Sequence, residues 1–292
     1  MSVRDENPCS AGARGQRGGA VVPRPAAQRW SRPGAPRLAG LALLVALAGA
    51  AAIGPALVGH DPAAQSLLDA RQAPSAAHLL GTDHLGRDMA ARLLSGARLS
   101  LGLALLSVVT AALPGALLGV LAARAGGWTD RLLSAFADAV LALPGLLLVL
   151  MLAAIAPGSW WALYVGISLT LWVEYFRYTR QRARVVLGTP AVEASRMLGL
   201  GPGLILHRHL VPEIGPGLLT IAAFGAATAV TAVAALGFVS VGIRPPQAEW
   251  GLMMTELLPY WREAPWLILQ PVAALVLTVL ALHLSVGGMR RP

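Results

Sequence analysis

Leu38 to Val58 is an unbroken run of 21 uncharged residues, close to the ~20 that a helix needs to cross the hydrocarbon of a bilayer. Similar runs recur. Leu99 to Ala123 holds 25 uncharged residues and Ile214 to Ile243 holds 30. Leu132 to Ala156 is broken only by Asp138, the stretch from Pro157 reads SWWALYVGISLTLWVEYF, and about Trp266 to Val286 is again apolar. Only a membrane can solvate six such segments in one chain of 292 residues, 56% of them hydrophobic and 13% charged. The expected fold is all-α and integral to the membrane, with six transmembrane helices.

The charges lie mostly between the runs. All 23 basic residues are Arg. Seventeen fall in residues 1–37, the 124–131 turn, the 177–208 loop and the C-terminal residues; Arg71, Arg87, Arg92, Arg98, Arg244 and Arg262 fall in the alternate segments. Loops rich in Arg stay on the cytoplasmic side, so both termini are expected in the cytoplasm. The net charge of +9 then reflects orientation and not a face for nucleic acid. Without Lys the chain has no phosphate-binding Gly-x-x-x-x-Gly-Lys loop, so any nucleotide is bound by another polypeptide. The lone Cys9 supports no disulfide or cysteine-metal framework.

These patterns divide the chain into a disordered cytoplasmic segment, 1–37, rich in Gly, Pro, Ala and Arg; a first anchor, 38–58; an extracytoplasmic segment, 59–98; and a five-helix core, 99–288, carrying a loop at 189–213. Small residues Ala50, Ala51 and Ala52 resemble a signal-peptide cleavage site, but the length of the run favours a retained anchor. In the 59–98 segment Asp83 is placed to cap a helix. Asp83 with Arg87 and Asp88 with Arg92 stand at i,i+4, a spacing for weak pairs on one exposed helix. Gly115 and Gly119 form a small-xxx-small pair, and Gly102 also permits close helix approach.

Within the loop, Ala191, Val192, Ala194, Met197 and Leu198 follow helical spacing, with Glu193 and Arg196 three apart on a polar face. Thr189 can cap this short helix, Pro190 suits its first turn, and Gly199, Gly201, Pro202 and Gly203 end it. An ordinary amphipathic loop helix has the same composition. The spacing is more particular: Glu193-Ala194-Ser195, three residues, Gly199, nine residues, then His209, Val211 and Pro212.

This resembles the coupling loop of permease subunits from bacterial ABC importers, Glu-Ala-Ala, three residues, Gly, nine residues, Ile-x-Leu-Pro, with Ser, His and Val as departures. His at the Ile position is similar to the peptide and nickel branch. Gly81-Thr82-Asp83, two residues, Gly86-Arg87-Asp88 resembles the segment before the second span of the same permeases, and Pro245, Pro246, Glu249, Trp250 and Gly251 resemble their outer loop. The resemblance implies a type I importer permease in the bacterial inner membrane that is not itself an enzyme. Its implied partners are a second homologous permease, two ABC ATPases that bind the ATP, and an extracytoplasmic solute-binding protein. Substrates implied are di- or oligopeptides, nickel or metal chelates.

Asp138, inside the third run, is either paired structurally, with Arg131 on the same face, or part of the pathway or its coupling. Glu174 is expected to meet Arg177 and Arg180 at the inner interface, and His283 to be a satisfied interface residue. His60, His78 and His84, in extracytoplasmic segments, offer ligands for nickel, but no spacing fixes their geometry and they read as surface histidines, so no metal site is expected. A self-sufficient channel or secondary transporter would need more polar groups at mid-membrane. An intramembrane hydrolase would need His-Glu-x-x-His or Gly-x-Ser-x-Gly, which His207 and His209 do not supply.

Overall fold

The structure, a computed structural model, describes residues 34–286. The expected disorder of residues 1–37 therefore lies almost wholly outside the described residues, as do the terminal Arg residues used for orientation. Where description begins, helix starts at Ala35, before the uncharged run itself.

Among the described residues the regular structure is helical, apart from an isolated bridge between Thr82 and Asp88. The helices are α1 (Ala35–Val58), α2 (Met89–Ala125), α3 (Gly127–Leu141), α4 (Gly145–Ile155), α5 (Trp160–Leu187), α6 (Pro190–Met197), α7 (Pro202–Ile205), α8 (Val211–Phe238), α9 (Trp250–Leu257) and α10 (Pro265–Val286). A wide π-type turn at Leu206–Leu210 joins α7 to α8, so the two form one rod from Pro202 to Phe238. That rod, α1, α2 and α10 are each long and apolar enough to cross a membrane.

The third run is not the continuous span expected. Helices α3 and α4 qualify only as a pair, bent by 76°. Pro144 has no N–H and its ring crowds the preceding turn, so the ladder closes with Ala142 N donating to Asp138 O and resumes with Leu147 N donating to Pro144 O. Helix α5 is long but less apolar, diluted by Trp160, Trp161, Tyr164, Trp172 and Glu174. It packs along α2. A Cβ at Gly115 would sit 2.6 Å from Trp172 O, and one at Gly119 2.8 Å from Phe176 O, so the expected glycine pair is where the two backbones meet. Gly102 faces open space.

The main core lies between α2, α5, α8 and α9, where Val108, Leu171, Tyr175, Val230, Met253 and Trp250 are buried together. Helix α1 buries only Gly40, Ala51 and Gly54; a Cβ at Gly40 would meet Ser285 N at 2.5 Å, which seats α1 on α10. At 1.5 Å per residue the 37-residue α2 is about 55 Å long, so what gathers at its start and at its end is well separated. The start carries loop 59–88; the end carries α6.

Candidate functional site

At the start of α2 the Gly81 to Asp88 motif forms a buried knot. Gly81 and Gly86 have φ of +80° and +74°, a backbone region open chiefly to glycine, and a Cβ at Gly86 would lie 1.8 Å from Ser66 O. Thr82 Oγ1 donates to Asp69 O and accepts from Gln72 N, pinning the loop to itself. Asp83 Oδ1 accepts from Leu85 N and Arg87 N, at 2.8 and 2.9 Å. Asp83 thus caps a turn and not a helix; the cap of α2 is Asp88, whose Oδ1 accepts from Ala91 N at 2.7 Å.

The Asp83–Arg87 pair forms as the spacing predicts, Nε to Oδ2 at 2.5 Å, but both side chains are 1% exposed, not solvated. The Asp88–Arg92 pair does not form. Asp88 is occupied as the cap and by His78, so Arg92 turns to Glu256 and lies 3.4 Å from Asp83 Oδ2. Arg87 also reaches Glu256, at 3.0 Å. Two acids and two arginines thus neutralise one another, with Glu256 still 15% exposed, which makes burial of the other three charges tolerable. Glu256 was not singled out in the sequence. The available signal was a lone acid in the otherwise apolar WGLMMTELL, since a charge there needs a partner.

Glu249, Trp250 and Gly251 fasten the same end to α2 and α8. Glu249 caps α9, accepting from Gly251 N and Leu252 N at 2.9 Å, and its carboxylate lies where a Cβ at Gly237 would be. Burial pushes its pKa up to about 7 despite the amide hydrogen bonds that pull it down. Trp250 Nε1 donates to Leu93 O at 3.1 Å, and a Cβ at Gly251 would strike Ala234 O. Pro245 and Pro246, joined by a cis bond, lead into this cap. His84 stacks on Tyr260 with centroids 5.2 Å apart, and burial lowers its pKa. His60 and His78, expected as unrelated surface side chains, instead converge on Asp88.

At the other end α6 forms as expected, although Thr189 does not cap it through its side chain, which donates to Val186 O. The apolar residues of α6 divide sharply. Val192 is fully buried against Ala183 and Val186 of α5 and Ile205, Leu210 and Ile214 of the α7–α8 rod. Met197 and Leu198 are 88% and 80% exposed. Gly199, at φ +77°, closes the helix: its N–H reaches Arg196 O and Leu200 N reaches Ser195 O. Glu193 and Ala194 are exposed, and Pro212 sits in the first turn of α8. Ser195 Oγ donates to Ala191 O and lies 2.9 Å from His209 Nε2, which is then the donor. The Ser and His departures from the coupling pattern are therefore bonded to each other.

Nearby, Asp138 pairs with Arg177 at 2.5 Å and not with Arg131. Asp130 takes both Arg180 and Arg184. Glu174 consequently meets neither Arg177 nor Arg180: those guanidiniums are drawn to the acids of α3. It lines a mostly apolar cleft of about 580 Å³ between α4, α5, α8 and α10, with Thr170, Phe224, Thr231 and His283. His283 Nδ1 is 2.7 Å from Val279 O, a local partner on its own helix.

The family described as binding-protein-dependent transport system inner membrane component matches residues 115–291. The di/tripeptide transport system permease protein DppC of Pseudomonas aeruginosa is 34% identical over 283 residues, 92% of each chain. The dipeptide transport system permease protein DppC of Alkalihalophilus pseudofirmus is 31% identical over 253 residues, 87% of this chain and 83% of the relative. A helical bundle with apolar spans, matched over more than half its length, belongs to the binding-protein-dependent transport system inner membrane components and is a DppC/OppC-like ABC permease.

Proposed function

We propose that this permease imports di- or oligopeptides by passing the motion of partner ATPases into its spans through α6. Val192 carries the reading. It anchors α6 simultaneously to α5 and to the α7–α8 rod through one small core, so a displacement of α6 moves two long helices together. Met197 and Leu198, exposed beside it, are the apolar surface that a groove in an ATPase would cover. Nickel and metal chelates are the alternative cargo; peptides are favoured because the relatives above are named for di- and tripeptides.

In this reading α5 is the sixth span beside the five apolar ones. The Arg-rich α6 end faces the cytoplasm with both termini, and the knot faces outward. A second homologous permease closes the open side of the Glu174 cleft, two ATPase subunits bind the ATP, and a solute-binding protein delivers cargo. Glu193→Lys and Gly199→Asp test the reading in proteoliposomes carrying the complete transporter. A Cβ at Gly199 meets nothing within 4 Å and Asp tolerates a left-handed backbone, so folding is retained. Uptake of labelled dipeptide should be abolished, and wild-type uptake by both variants would refute it.

A further inference from the structure

The geometry points to a divalent transition-metal site of the zinc class formed by His60, His78 and Asp88, at the junction of α1 with α2. Each residue is placed by backbone that has other reasons to be where it is. Gly59, at φ +69°, ends α1 and turns the chain at His60. His78 is held by its N–H to Ser75 Oγ and by its carbonyl, which accepts from Ser75 N and Gly81 N. Asp88 is fixed as the α2 cap through Oδ1, which leaves Oδ2 to face the two rings.

His78 Nδ1 lies 2.8 Å from Asp88 Oδ2 and His60 Nδ1 3.9 Å from it, and the three ligand atoms fall within 4.8 Å of one another. A tetrahedral ion with bonds of roughly 2.0 to 2.2 Å needs its ligand atoms about 3.3 Å apart, so the separations present bracket the requirement. Two imidazoles and one carboxylate suit zinc, nickel or cobalt; calcium and magnesium prefer oxygen alone. Asp88 is 3% exposed, His78 18% and His60 47%, which gives a rigid floor and a ring on the solvent side that can swing to admit the ion. Three ligands leave a coordination position open to water or an arriving donor. A bound ion would tie the end of α1, which packs mainly through small residues, to the start of α2.

The test uses the full-length, tag-free chain in detergent after chelator treatment, titrated with ZnCl₂ by calorimetry, with Co²⁺ absorption as a spectroscopic check. Wild type should bind about one equivalent, with ligand-field bands on cobalt addition. His60→Ala, His78→Ala and Asp88→Asn should each weaken zinc at least ~10-fold and remove the bands; Asn keeps a cap oxygen for Ala91 N. His207→Ala, at the far end, should leave zinc affinity and the cobalt bands unchanged. Melting of the metal-free variants by circular dichroism separates lost affinity from lost fold. If His78→Ala is unstable, His60→Ala decides, because its ring is the most exposed of the three. Absence of zinc binding tighter than ~100 μM, or stoichiometric binding indifferent to His60→Ala, would overturn the site and show the His78–Asp88 contact to be a hydrogen bond only.

Discussion

The two ends of α2 are held by opposite physics. At its start, buried Asp83, Arg87 and Arg92 pair with one another and with the partly buried Glu256, and Trp250 and Glu249 fasten α9 onto α2 and α8. At its end, α6 rests on a few aliphatic side chains around Val192 while Met197 and Leu198 stand in solvent. A directional network of paired charges has few good arrangements and resists displacement. A small apolar contact beside an uncovered apolar surface can be seated by a partner and moved as a body. On the coupling role proposed above, the difference suits one end to be a fixed cap and the other to receive force from a partner.

The contrast breaks most visibly at Glu256. Glu256→Ala leaves Arg87 and Arg92 sharing only Asp83, and loss of one partner from such a network should cost about 3 to 5 kcal/mol, read as a lowered melting temperature in detergent. A pH effect comes next. Glu249 has its pKa raised from 4.5 to about 7, so the folded state holds its proton where the unfolded state releases it. The stabilisation is complete below about pH 4.5 and is lost as pH rises to 7 and beyond, a change on the order of 3 kcal/mol. Glu249→Gln should flatten melting temperature against pH in that window. Val192→Ala sharpens the comparison from the other side: roughly 1 to 2 kcal/mol, with faster amide exchange around α6, unchanged exchange at the knot, and weakened uptake. Met197→Asp with Leu198→Asp should shift stability by less than about 0.5 kcal/mol yet abolish ATPase assembly, measured by co-purification.

Much of this was legible in the chain. The uncharged runs mark the membrane segments, Gly115 and Gly119 mark the meeting of α2 and α5, and the spacing around Glu193 marks α6. What escaped was whatever depends on a distant partner. Local spacing proposes Asp88 with Arg92 and Asp138 with Arg131, but Glu256 lies 164 residues from Arg92 and Arg177 lies 39 from Asp138, and these win. An i,i+4 rule ranks only neighbours on one helix; it is blind to a carboxylate brought in by α9. The broken third span was also readable at Pro144, which lacks the N–H a continuous helix requires. Periodicity could not show that Val192 alone of the α6 apolar set would be buried, because the set follows one helical spacing while only the tertiary fold shows which residue meets the rod.

The most direct test of force entering at α6 is site-specific photocrosslinking from position 197 in the assembled transporter, in membranes, with and without nucleotide. The account predicts an adduct with an ATPase subunit whose yield changes on ATP binding. An adduct with the solute-binding protein, or no ATPase adduct from a transporter that still imports peptide, would contradict it.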